Sequence, residues 1–215
     1  MTILAFIRKI IVFGIMAVAG IILLIGGIRD KIELSKPMKD ISTITPEELY
    51  DGQFVEGDIY EMWNEFAYLE ESDSKSSSKV KAHYFSFPMA STFDDDTVKF
   101  LALRVGNSTD YSTAQKMEKE TDDYYAEGIE PTGWTKIHIK GKVTKLKGDL
   151  LKFHKEYLET VDGVTASNVN DFLCPYVITS NYGDNTIGLV LGIVFTVLGL
   201  GLLAFFIIRK VITGR

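Results

Sequence analysis

The chain has 215 residues, 46% of them hydrophobic, and a formal charge of −6. All 29 acidic residues and 17 of the 23 basic ones lie between Asp30 and Thr186, so a segment of net charge −12 is flanked by two basic, acid-free ends. An acidic centre argues against nucleic acid as a partner, because that affinity rests on Lys and Arg neutralising phosphates. The single cysteine, Cys174, excludes an intramolecular disulfide, a cysteine-based zinc site and a CxxC redox pair.

Residues 1–9 form a short tail carrying Arg8 and Lys9. Ile10–Ile28 is an uncharged apolar run, close to the roughly 20 residues that a helix needs to cross the hydrocarbon core. A signal peptide also starts with charge and continues apolar, but this run exceeds the usual stretch of about 7–15 residues and no small-x-small cleavage site follows it. It therefore reads as a retained transmembrane helix.

Residues 29–186 have the composition of a soluble domain, and about 150 residues suffice for a core of their own. A connector of alternating charge, 29–44, leads to Thr45-Pro46-Glu47-Glu48, a capping-box signal for a short helical turn. Gln53–Tyr60 reads as a strand bent at Gly57. Over 59–69, Ile59, Met62, Trp63, Phe66 and Leu69 fall at helical spacing although their aromatic content suits a strand; the spacing favours a helix. Glu70–Lys79, EESDSKSSSK, is low in complexity and predicts an exposed loop.

Strands are predicted at Val80–Phe87, Val98–Val105 and Trp134–Val143, the last alternating Ile137 and Ile139 with Lys136, His138 and Lys140. A helix is predicted over Thr113–Glu127, capped by Ser112 and Gln115, with Ala114, Met117, Thr121 and Tyr124 or Tyr125 inward. A second, Gly148–Thr160, turns Leu150, Leu151, Phe153, Tyr157 and Leu158 inward. Cys174–Thr179 is the last predicted strand. The domain is thus α+β, with about five strands and two or three helices.

Ile187–Ile208 is the second apolar run, a second transmembrane helix, and 209–215 is a basic tail with Arg209, Lys210 and Arg215. Gly188, Gly192 and Thr196 place small residues one turn apart, a candidate packing face for transmembrane helix 1 or for a second copy of the chain. Arg209 and Lys210 follow this run, whereas no basic residue lies between Asn170 and Thr186. The positive-inside rule then puts both termini in the cytoplasm and the middle domain outside.

The sequence carries no visible active site. His83, His138 and His154 lack partners at metal-ligand spacing, and no GxSxG, P-loop, Rossmann or SxxK pattern occurs. Asp94-Asp95-Asp96 lacks the rest of a calcium loop and reads as a solvated turn. Lys116–Glu120 and Lys119–Asp123 are ordinary i,i+4 helix pairs. Cys174, before Pro175 in an apolar strand, reads as a buried, inert thiol. No enzyme activity, cofactor or metal is expected.

The segments TPEELYDGQFVEGDIYEM, YFSFP and GKVTKLKGDLLKFHKEYL resemble an uncharacterised family of two-pass membrane proteins of Gram-positive Firmicutes, with a domain of unknown function between the spans. That resemblance implies a cell-membrane location and transfers no catalytic residues. Two spans bracketing a small domain also resemble proteins with an oligonucleotide/oligosaccharide-binding (OB-like) barrel between their spans, although fold likeness does not establish function. The expected role is binding, as an accessory, sensory or scaffold protein with the lipid bilayer and a protein partner or second copy as its contacts. The alternatives are a subunit of a larger membrane transport or secretion complex and an envelope-acting enzyme.

Overall fold

The computed structural model describes residues 3–71, 79–106, 108–180 and 186–213. The chain divides into two compact units, Met1–Lys36 with Gly183–Arg215, and Pro37–Tyr182.

The first unit is a pair of helices, α1 (Ile3–Leu34) and α5 (Thr186–Thr213). Both are long and apolar enough to cross a membrane, and each continues past the apolar run through its flanking charges. Most of their large apolar side chains are exposed, Ile15, Ile22, Val197 and Leu200 among them. Neither helix has the buried surround of a soluble core helix.

The second unit is one seven-stranded mixed sheet with helices on both faces. Its strands are β1 (Lys39–Asp40), β2 (Phe54–Ile59), β3 (Glu65–Glu71), β4 (Lys79–Pro88), β5 (Phe100–Val105), β6 (Ile137–Lys145) and β7 (Leu173–Ser180). Its helices are α2 (Ser108–Glu127), α3 (Gly148–Leu158) and the single turn α4 (Val169–Phe172). The sheet order is β1-β2-β6-β7-β5-β4-β3, with β1/β2 and β5/β7 parallel and the other pairs antiparallel. Edge strands β1 and β3 remain unjoined among the described residues, so the sheet is open where an OB-like barrel would close.

The period-2 pleat sorts the core between the two sheet faces. Phe85, Phe87, Leu101 and Leu103 share a cluster with Ala114 and Met117 of α2. Ala82, Tyr84, Ala102 and Val177 face the other way, with Leu150 and Leu151 of α3 packed against them. Covering both faces explains why β4 and β5 read as nearly continuous apolar runs. β6 has one wet face: Ile137, Ile139 and Val143 are buried while His138 and Lys140 are exposed. The Thr45 signal yields a 3-10 turn, Pro46–Glu48, and the Thr45 N–H donates to Glu48 Oε2 at 3.2 Å. Gly57 of β2 has φ +148°, and a Cβ there would lie 2.6 Å from Asp40 Oδ1. The β1 segment can come this close only because residue 57 is glycine.

Three further expectations are corrected. Residues 59–69 are not a helix. β2 ends at Ile59 and β3 begins at Glu65, and between them Trp63 N–H donates to Ser86 O at 2.8 Å while Ser86 N–H donates to Asn64 O at 3.3 Å. Pairing with β4 satisfies the backbone that a helix would have satisfied internally, and two register shifts in that pairing blur the strand period. The ends of the polar loop, Glu70, Glu71 and Lys79, belong to β3 and β4; its residues 72–78 lie outside the described residues. Helix α2 starts at Ser108, so Ser112 is not a cap: its hydroxyl donates to Thr109 O, and Gln115 donates to the Tyr111 hydroxyl.

Candidate functional site

The segment Tyr60–Asn64 crosses from β2 to β3 at the end of β4. Met62 is fully buried, with its N–H donating to Thr121 Oγ1 of α2 at 3.3 Å. This contact pins the segment, and its neighbours Glu61 and Trp63 line a cavity of about 510 Å³. Phe93, Phe100, Tyr125 and Phe172 supply further walls, and Asp96 a second carboxylate. A smaller cavity of about 80 Å³ shares Glu61, Pro88 and Phe93 as a common wall.

Trp63 is part of the wall of the larger cavity. Its ring meets Phe100 edge-on, with centroids 4.8 Å apart and planes at 66°, and meets Tyr125 at 6.0 Å and 53°. Both are contact geometries that aromatic pairs prefer, so the three rings brace one another as part of the cavity lining. Trp63 Nε1 is buried and has no hydrogen-bond partner among the described residues. An unmet buried donor costs about 1–3 kcal/mol.

Glu61 brings the polar chemistry. The Tyr125 hydroxyl donates to Glu61 Oε2 at 3.1 Å. Burial raises the Glu61 carboxyl above its ordinary range, opposed by that hydrogen bond. Burial, followed by the adjacent Glu61 charge, pushes the Tyr125 phenol up to about 12. The pair is suited to holding a positive or hydrogen-bonding group beside aromatic walls.

The histidines occupy three different environments. His138 is exposed and bonds Asp58 Oδ1 at 2.7 Å, which raises its pKa; Lys136 bonds the same carboxylate. His83 bonds Glu65 at 2.8 Å and stacks on Tyr111 with centroids 3.7 Å apart. His154, on α3, is fully buried, 3.0 Å from Ser86 Oγ and stacked on Phe66 at 4.5 Å. Burial lowers its pKa to about 3, so the ring is neutral at physiological pH. Ser86 is as completely buried, and this hydroxyl–imidazole pair has no exposed surface on which to meet a substrate.

Cys174 is buried and its thiol is pushed up to about 12 by burial. Asp94-Asp95-Asp96 is an exposed turn. No group of three His, Cys, Asp or Glu among the described residues could hold a metal ion. The two i,i+4 pairs on α2 form, Lys116–Glu120 at 3.5 Å and Lys119–Asp123 at 2.6 Å.

Gly188, Gly192 and Thr196 lie on α5. Gly188 is buried in its first turn. A Cβ on Gly192 would sit 2.6 Å from Leu24 N, and one on Gly20 of α1 would sit 2.5 Å from Thr196 N. The same closeness recurs at Gly199 against Ala17, 2.7 Å from its N, and at Gly27 against Leu189, 2.9 Å from its Cβ. Gly192 and Gly199 are seven residues apart, as are Gly20 and Gly27. The seam therefore follows a heptad, the spacing of a left-handed helix pair. Phe13 stacks on Phe206 with centroids 5.5 Å apart. Beyond it, Lys9 lies 4.8 Å from the Phe206 ring and Lys210 lies 3.9 Å from the Phe6 ring.

Sequence reasoning did not identify Gly20, Gly27, Gly199 or Ala17, although the seven-residue spacing is present in both apolar runs. It also missed the Glu61–Trp63–Tyr125 cluster, whose members lie up to 64 positions apart. Residues 4–210 match the family described as Domain of unknown function (DUF8577). No curated protein matches the chain.

Proposed function

Since the chain belongs to the DUF8577 family, we propose that this member is a two-pass cell-membrane protein whose acidic domain binds a ligand and catalyses no reaction. Helices α1 and α5 are its spans, both termini are cytoplasmic, and the sheet domain is displayed outside. Arg209 and Lys210 after the second apolar run support that orientation. The observation that carries the binding reading is the cavity of about 510 Å³ around Trp63, walled by aromatic rings and carrying two carboxylates. Apolar concavities with a few convergent polar groups are the usual form of small-ligand sites. The complete burial of Ser86 and His154 supports binding over hydrolysis.

The test uses the full chain in phosphatidylglycerol nanodiscs, labelled with 5-fluorotryptophan. Trp134→Phe assigns the two fluorine resonances. A panel of cationic, neutral and anionic small organic compounds is then added. The reading predicts that at least one class moves the Trp63 resonance, leaves that of Trp134 in place, and loses its effect in Val98→Phe, which fills the cavity. A Trp63 resonance indifferent to all three classes would contradict it.

A further inference from the structure

The Trp63 cavity has a charge as well as a shape. Among the described residues its lining carries Glu61 and Asp96 and no lysine, arginine or histidine, within a segment of net charge −12. Asp96 ends the exposed Asp94-Asp95-Asp96 turn, so the carboxylates continue beyond the rim. The lining includes five aromatic residues, Trp63, Phe93, Phe100, Tyr125 and Phe172. Ring faces carry partial negative charge, so rings disposed around a space attract a cation from more than one direction.

A bare metal ion does not fit these walls. Metal ions need oxygen, nitrogen or sulfur lone pairs from several sides, and no three-residue ligating group exists among the described residues. An organic ammonium uses both parts of the lining: its charge faces carboxylate and rings while its carbon body covers Val98 and Val161. We infer that the Trp63 cavity binds a small soluble organic ammonium ion, held by the Glu61 carboxylate and the rings of Trp63, Phe100 and Tyr125, with Asp96 as a second counter-charge. This rests on reading the cavity as the ligand site.

The fluorine-labelled full chain in phosphatidylglycerol nanodiscs tests the assignment. Choline and butylammonium are titrated against 3,3-dimethylbutan-1-ol, which has the shape of choline without its charge. The expected result is movement of the Trp63 resonance by an ammonium ion with affinity about tenfold above the neutral alcohol. Glu61→Gln should weaken that binding about fivefold or more, and Asp96→Asn by a smaller factor. Equal binding of the neutral alcohol, or unchanged ammonium affinity in Glu61→Gln, overturns the ammonium assignment and leaves the cavity as a ligand site. Absence of any response, together with silence from the compound panel, overturns both. A resonance already displaced in phosphatidylethanolamine nanodiscs and indifferent to free choline would assign the charge to a lipid headgroup and overturn the soluble ligand.

Discussion

The helix pair and the sheet domain are held together by opposite means. In the helix pair, contact comes from side chains that are missing: Gly20, Gly27, Gly192 and Gly199 let one backbone approach the other to distances that no Cβ allows. In the domain, contact comes from volume, with Phe85, Leu101, Leu103, Met117 and Ile178 fully buried between sheet and helix. The difference follows from the solvent each is suited to. Water rewards burial of large apolar groups, whereas lipid is as apolar as leucine and leaves close packing as the driving force between helices. Added volume should therefore break one unit, and lost volume the other.

The largest effect is expected from subtraction in the domain. Phe85→Ala should destabilise it by about 3–5 kcal/mol, read by denaturant unfolding through Trp63 and Trp134, with the helix pair unaffected. Addition in the helix pair comes next. Gly192→Ile and Gly199→Leu should each cost about 3 kcal/mol and abolish the cross-link that a short bifunctional maleimide makes between Gly14→Cys and Leu203→Cys, neighbours across the seam, in a Cys174→Ala background, while domain unfolding stays unchanged. Gly188→Ile in the same assay shows whether the four-residue spacing shares in the seam. If glycine replacements left the cross-link intact, the comparison would fail.

Acid sharpens the contrast, since His154 lies in the domain. Its pKa is about 3 when folded, against the ordinary histidine value of 6.5, so below pH 6.5 the unfolded chain takes up a proton that the folded chain does not. The stability this contributes is complete above pH 6.5 and is lost progressively as pH falls toward 3, by about 2 kcal/mol at pH 5. Glu61 and Glu118 are both raised by burial and act in the opposite sense. The readout is therefore the difference between wild type and His154→Gln, which can still bond Ser86 and should flatten the profile.

The smallest effect belongs to the cavity rim. Tyr125→Phe removes the bond to Glu61 at an exposed ring and should shift stability by no more than about 0.5 kcal/mol. Ligand affinity should change with it, as fluorine titration would show. A large loss of stability would make that pair structural.

What the sequence made legible depends on how each element meets its solvent. The β6 alternation of Ile137 and Ile139 with His138 and Lys140 is plain because one face is buried and the other wet. β3 was illegible because most of its residues are exposed and its register shifts twice, so Met62, Trp63 and Phe66 mimic a helical stripe. β1 is two residues long and exists only by pairing with β2. The GxxxG template selected Gly188 and Gly192, but Gly199 takes its meaning from Ala17, and this pairing appears only when both apolar runs are aligned antiparallel. The cavity was hidden for a related reason. Glu61, Asp96, Tyr125 and Phe172 come from separate elements, and no local spacing announces their meeting.

The central claim is a ligand-binding domain displayed outside the cell by two spanning helices. Lys152 is an exposed residue of α3 whose partner among the described residues is Glu156, i,i+4, at 3.6 Å, so Lys152→Cys in a Cys174→Ala background puts a single thiol on the domain surface. Labelling of this thiol by a membrane-impermeant maleimide in intact cells is the predicted result. Labelling only after lysis would put the domain in the cytoplasm and contradict the account.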